Sequence, residues 1–146
     1  METIALINKV VASNVLSRSM VELPPAGAST AALAEVEQIL GVPIDAEYSI
    51  FLQTFDGAYL DVIRLYPYQE LKITAFGLEF ASDPSGFVYY IQGSGEVIVE
   101  DTDGGEMKKV ASSFDDFIHS YLFGVRSAAF SGEEWHQELV RAGITT

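Results

Sequence analysis

His119 and His136 are the only imidazoles in this chain of 146 residues, and cysteine is absent. The two histidines lie 17 residues apart, and neither is followed four residues on by a second histidine or a carboxylate, the spacing that sets two metal ligands on one helix face. Without cysteine there is no thiolate nucleophile, no disulfide and no thiolate zinc site. A serine nucleophile would need a strained Gly-x-Ser-x-Gly turn, whereas Gly93-Ser94-Gly95 sets its glycines directly against the serine between two strand-like runs, which is hairpin chemistry. Asp115-Asp116 and Glu133-Glu134 are adjacent carboxylate pairs of the kind glycoside hydrolysis would use. Neighbours on a helix project about 100° apart, however, and both pairs fall in first helical turns, where acids complement the helix dipole. No catalytic residue, cofactor site or metal site is expected.

Glu100-Asp101-Thr102-Asp103-Gly104-Gly105-Glu106 raises the question of calcium. An EF-hand loop needs oxygen donors at positions 1, 3 and 5 before its glycine, whereas here Gly104 directly follows the second aspartate. The stretch reads as a solvated acidic hairpin tip. From Glu96 to Glu106 there are five acidic residues and no basic one, so it is also the most negative local feature and a contact surface for a basic partner. Glu100, Asp101, Asp103 and Glu106 are the candidate contact residues, with Tyr66 and Tyr68 on the preceding loop as additions. Tyr59, Tyr66, Tyr68, Tyr89 and Tyr90 suit either half-buried strands or an interface.

The whole chain carries 8 Lys+Arg against 21 Asp+Glu, a formal charge of −13. Neutralising nucleic-acid phosphates needs clustered lysine and arginine, and the longest basic run is Lys108-Lys109, so nucleic-acid binding is excluded as a function class. With 49% hydrophobic residues the chain can bury a core, and its length fits one folded domain over 1–146. The longest apolar run, Phe87 to Ile91, is far short of the about 20 residues a membrane span requires. Glu2 replaces the basic start of a secretory leader, so a soluble, cytoplasmic setting is expected.

These candidates must be positioned by surrounding elements. Ile4, Ile7, Val11 and Val15 suggest a short amphipathic helix, although Val10-Val11 also suit a strand. After the connecting Leu23 to Ala28, Ser29 or Thr30 can cap a helix whose apolar face is Leu33, Val36, Ile39 and Leu40 and which ends at Gly41. Asp45 can cap the next, with Tyr48, Phe51, Leu52 and Phe55 toward the core and a stop at Asp56-Gly57. Val62-Ile63 reads as a short strand, Tyr66 to Leu71 as a turn or helical corner, and Ile73 to Phe80 as a strand with Thr74, Phe76, Leu78 and Phe80 on one side. Ser82 to Gly86 is a turn, and strands Phe87–Gln92, Glu96–Asp101 and Met107–Ala111 follow as an antiparallel meander. Ser112 or Ser113 caps a helix bearing Phe114, Phe117, Ile118, Tyr121 and Leu122, closed by Gly124. Ser131-Gly132-Glu133-Glu134 has capping-box spacing before a last helix through Trp135 and Leu139. Helices at both ends of a central antiparallel meander make the fold α+β.

This order of elements, together with particular residues, resembles the SUKH superfamily, which includes the fungal Smi/Knr cell-wall regulators and many bacterial immunity proteins. Leu33 to Pro43, with Glu37 and the Leu40-Gly41 step, is similar to the family's opening helix. Tyr48, Phe51 and Leu52 match its second helix, and Asp56-Gly57-Ala58 stands at its usual Asn-Gly-Gly. Phe80 through Gly86 and Val110 to Ile118 resemble its late strands and Ser-Phe-x-x-Phe helix. The likeness covers about 25–124, leaving an N-terminal extension at 1–24 and a C-terminal helix at 131–143 outside it. It departs at Ile44-Asp45, where the family usually has Leu-Pro. The resemblance implies a SUKH-like single domain and a non-enzymatic binding protein with no cofactor. It implies an immunity protein whose partner is a toxin, often a nuclease, and a basic toxin domain suits the charge of this chain. A regulatory or scaffolding adaptor of the Smi/Knr type is the alternative.

Overall fold

A computed structural model describes residues 2–16 and 20–146; Met1 and positions 17–19 of the expected N-terminal extension lie outside the described residues. The order is α1 (Glu2–Ala12), β1 (Val21–Glu22), α2 (Thr30–Leu40), α3 (Ala46–Thr54), β2 (Ala58–Leu60), β3 (Ile63–Leu65), a 3-10 turn at Tyr68–Glu70, β4 (Lys72–Thr74), β5 (Gly77–Ser82), β6 (Phe87–Ile91), β7 (Val97–Asp101) and β8 (Met107–Ala111). Then come α4 (Phe114–Asp116), which runs on as a π-helical stretch over Phe117–Leu122, α5 (Ser127–Ser131) and α6 (Glu133–Arg141). All strands pair antiparallel in one eight-stranded sheet of order β1-β2-β3-β5-β6-β7-β8, with β4 also on β5. The fold is therefore α+β, and β5 to β8 form the expected meander.

Strand alternation divides the sheet into two faces. Leu65, Ala81, Tyr89 and Val99 share one row, and Leu78, Ile91, Val97 and Ala111 another; all are buried beneath the helices. A bulge at Phe80 turns both Phe80 and Ala81 inward. There Phe80 meets Tyr48 edge-on at 5.2 Å between ring centroids, and Tyr48 also meets Phe114 at 5.0 Å and Phe51 at 5.4 Å. The Tyr48 hydroxyl, fully buried, donates to the Tyr66 carbonyl at 2.6 Å, where the chain leaves β3.

Caps fix the helix starts as the sequence predicts. Ser29 and Asp45 accept from the N–H groups of Ala32 and Tyr48. Ser113 accepts from the Asp116 N–H, and Asp116 reaches back to accept from the Ser112 N–H at 2.9 Å. Burial raises the Asp116 carboxyl's pKa, but the Ser112 N–H, the Ser120 and Ser112 hydroxyls and Arg126 outweigh it and hold the pKa below the ordinary aspartate value. The π-helical stretch brings Phe117, Ile118, Tyr121 and Leu122 all inward. Gly124 permits its close, because a Cβ there would sit 1.8 Å from the His119 carbonyl oxygen.

Several sequence expectations are corrected. Ile39 is 84% exposed, not part of the α2 apolar face, because that face centres on Leu33 and leaves Ile39 outside at the helix end. Phe55 is the C-cap of α3 and only half-buried. Two strands stand where Val62-Ile63 suggested one, joined at Asp61, whose positive φ of 61° forms the turn. The single strand drawn from Ile73 to Phe80 is a hairpin of β4 and β5. Thr74 Oγ1 accepts from the Phe76 N–H at 3.1 Å and fixes the turn, so Phe76 is exposed instead of in line with Leu78 and Phe80. Ser131 does not cap the last helix. It ends α5, and Gly132, at a φ of 95°, separates the two helices.

Tyr48→Phe keeps the ring and orphans the Tyr66 carbonyl, so it should cost about 1–3 kcal/mol in urea unfolding. Phe51→Ala should cost about 3–5 kcal/mol, and Tyr48→Phe as harmless as a surface change would contradict the role given to the hydroxyl. Asp116, with its folded pKa depressed, contributes stability present above its unfolded value and lost as pH falls through the folded one. Asp116→Ala should therefore destabilise by about 1–2 kcal/mol at pH 7. Melts repeated below pH 3.8 should show the difference shrinking.

Candidate functional site

The β7–β8 hairpin positions the acidic candidates. Asp101 Oδ1 accepts from the N–H groups of Asp103 at 3.0 Å and Gly104 at 3.4 Å, and the Gly105 N–H donates to the Asp101 carbonyl. Asp101 thus builds the turn, while Asp103 and Glu106 project into solvent. The tip does not stand free: Thr102 donates both its N–H, at 3.0 Å, and its hydroxyl, at 2.7 Å, to the Gly86 carbonyl in the β5–β6 turn.

Glu100 lies on the sheet face away from the helices. Its carboxylate accepts from the Tyr90 hydroxyl at 2.7 Å; Tyr90 pairs in register with Glu79, and Glu79 accepts from the Tyr66 hydroxyl at 2.9 Å. Burial, then donation to Glu100, raises the Tyr90 hydroxyl's pKa well above the tyrosine range, so it stays protonated. Arg64 rests over the Tyr59 and Tyr66 rings, at 5.5 and 5.3 Å to the centroids, and pairs with Glu70. Of the predicted residues, then, the fold joins Tyr66 to Glu100 through Glu79 and Tyr90. Tyr66 itself is buried, 7% exposed, so little of it is offered to a partner. Tyr68 stands apart in the 3-10 corner, its N–H held by Asp56 at 2.9 Å. Among the described residues, none of Glu100, Asp101, Asp103 and Glu106 forms an ion pair.

Sequence reasoning missed Tyr59, Arg64, Glu79 and Tyr90 as members of this outer face. At Tyr59 and Arg64 the alternation with buried neighbours is the available signal, hidden where only Val62-Ile63 reads as a strand; Tyr90, buried between buried neighbours, offers no such signal. It also missed a carboxylate four residues before His119. Thr3 donates its hydroxyl to Asp115 at 2.7 Å and lies 3.0 Å from His119 Nε2. A catalytic triad sets its histidine between nucleophile and acid; here the threonine is in the middle and 3% exposed, so the trio fastens α1 to the π-helical stretch. Ser127, fully buried, bonds His136 Nδ1 at 2.8 Å and fastens α6 in the same way. Among the described residues no three His, Cys, Asp or Glu side chains gather into a metal-sized group, and no helix is long and apolar enough to cross a membrane.

The family model for the SMI1 / KNR4 family (SUKH-1) matches residues 27–120, from the chain entering α2 into the π-helical stretch. No curated protein matches the chain at a significant level.

The division of the tip into a turn-forming residue and projecting ones has a measurable consequence. Asp101→Ala should speed amide exchange at Asp103 and Gly104 by about fivefold, for the loss at each of a hydrogen bond worth about 1 kcal/mol. Asp103→Ala and Glu106→Ala should leave those rates unchanged in the same NMR experiment.

Proposed function

The chain belongs to the SMI1 / KNR4 family (SUKH-1), whose members are generally non-enzymatic binding domains and include immunity proteins; from that premise we propose that it is a single-domain, cytoplasmic immunity protein that binds and neutralises a basic toxin domain. The observation that supports the reading is the β7–β8 hairpin, which carries four carboxylates, none of them in an ion pair among the described residues. A nuclease must present cationic groups to phosphate, and a chain at −13 is steered toward such a surface and can cover it. Asp103 and Glu106 make the outermost contacts, Glu100 adds charge from the sheet face beside Tyr90, and Asp101 acts by holding the turn. Tyr66 contributes through Glu79, and Tyr68 lies at the margin.

Capture from the native cell at low and at moderate salt tests this. A single basic toxin domain, retained in stoichiometric amount and released by salt, is expected. Recovery of cellular regulatory proteins alone would replace the reading with a Smi/Knr-type adaptor. Asp103→Lys combined with Glu106→Lys should slow association with the toxin by about tenfold at low salt and flatten its salt dependence, with the melting temperature nearly unchanged. Unaltered association rates would remove the tip from the interface.

A further inference from the structure

On the helix-covered side of the sheet a cavity of about 240 Å³ opens between the β5–β6 turn, strands β6 to β8 and α5. Phe87 and Phe130 form its apolar walls, Tyr89 and Tyr121 line its depth, and Asp83 and Lys108 stand on it as the charged groups. Tyr89 is 2% and Tyr121 6% exposed. Among the described residues neither hydroxyl has a hydrogen-bond partner, yet no buried side-chain oxygen is left unsatisfied, so both hydroxyls open into the cavity. Two deeply placed phenols without partners are unusual in a protein interior, where tyrosine hydroxyls ordinarily find one.

Asp83 supplies the third polar group. Its Oδ1 accepts from the N–H groups of Ser85 and Phe87, at 2.8 and 3.3 Å, and among the described residues Oδ2 has no hydrogen-bond partner. Burial chiefly raises the pKa of both tyrosines; at Tyr121 the chain's own Arg126, 6.0 Å from the ring centroid, acts against that rise more strongly than the Asp83 carboxylate adds to it, and at Tyr89 Tyr121 and then Asp83 add to it. A guanidinium matches these features together. It carries only donors, in a flat fork, and it stacks on aromatic faces while its aliphatic stem packs on apolar ones. An anion would meet Asp83. Lys108, exposed on its long stem and in no ion pair among the described residues, lies on the cavity with the sign that opposes a cation.

We propose that this cavity receives a guanidinium on an aliphatic stem, its N–H groups donating to Asp83 Oδ2 and the Tyr89 and Tyr121 oxygens and its stem lying along Phe87 and Phe130. The volume is below that of drug-sized sites and suits one long side chain. The cavity is separate from the acidic tip, and the assignment stands whether or not that tip contacts a toxin.

Titration of the full chain, followed by amide NMR, tests the proposal with N-acetyl-arginine methylamide, its neutral citrulline counterpart, free arginine and N-acetyl-glutamate methylamide. The capped arginine should give saturable shifts at Asp83, Tyr89 and Phe130, and citrulline should bind at least about tenfold more weakly, having lost the charge on its hydrogen bonds. Asp83→Asn keeps an oxygen for the turn and should weaken the capped arginine by a similar factor. Tyr121→Phe, which removes one acceptor and no packing, should weaken it severalfold and serves if the Asp83 variant does not fold. Lys108→Gln should leave binding equal or tighter. Free arginine binding better than the capped form identifies a free guanidinium compound, and the reverse identifies an arginine within a peptide chain; both support the assignment. It is overturned by absence of saturable shifts, by equal binding of citrulline, by indifference to both Asp83→Asn and Tyr121→Phe, or by stronger binding of the glutamate probe that is lost in Lys108→Gln.

Discussion

Three segments distant in sequence converge on the Tyr48 side chain. Its ring fills the space between α3, the bulged strand β5 and α4, touching Phe51, Phe80 and Phe114, while its hydroxyl satisfies the carbonyl of Tyr66. That carbonyl belongs to the chain turning out of β3, and the adjoining Tyr66 N–H is spent on the Phe80 carbonyl across the bulge. An unpaired carbonyl there would be costly because water is excluded, so the hydrogen bond and the aromatic packing depend on each other. With the bulge held, Phe80 and Ala81 both face the helices and Glu79 and Ser82 return to the outer face. The outer row of Arg64, Tyr66, Glu79, Tyr90 and Glu100 therefore inherits its register from a residue on the opposite side of the sheet.

Much of this was legible from local chemistry. The caps at Ser29, Asp45 and Ser113, the meander from Phe87 to Ala111, and the core role of Tyr48, Phe51 and Phe114 rest on interactions within a few residues or on an unbroken period. What stayed hidden depends on contacts between distant segments. Nothing near Phe76 says that the Thr74 hydroxyl will close a turn, and no local pattern marks Phe80 as a bulge. A π-helical stretch over Phe117–Leu122 follows from packing against the sheet and from the absent side chain at Gly124, not from helix propensity. At the candidate site the acidic tip was evident as a run of residue types. The division of labour within it, Asp101 turned inward on the backbone and Asp103 outward, needed the hairpin's geometry.

The charge of the chain takes on structure in the same light. Many of its carboxylates are backbone acceptors: Glu37 for the Ile44 N–H, Asp45 for Tyr48, Glu47 for Asp115, Asp56 for Tyr68, Asp83 for Ser85 and Phe87, Asp101 for Asp103, and Asp116 for Ser112. Each satisfies a donor that helix starts and turns leave open, and charge strengthens the bond. The net negative charge thus has two origins. One part holds the backbone, and the remainder lies on the surface, where Glu70 and Glu96 pair with Arg64 and Lys109 while Asp103 and Glu106 project from the tip with no ion pair among the described residues.

These two populations meet at the β5–β6 turn. Asp83 folds that turn by binding its amides, and Gly86 within it accepts both the hydroxyl and the N–H of Thr102 from the acidic tip. The same few residues therefore support the projecting carboxylates on one side and border the tyrosine-lined cavity on the other. A body drawn in by the charge of the tip would arrive one turn from the cavity whose Asp83 and tyrosine oxygens could accept from a guanidinium. Because the connection runs through backbone hydrogen bonds, the spacing between tip and cavity is set by the fold, and only a partner presenting its cationic groups at that spacing could engage both.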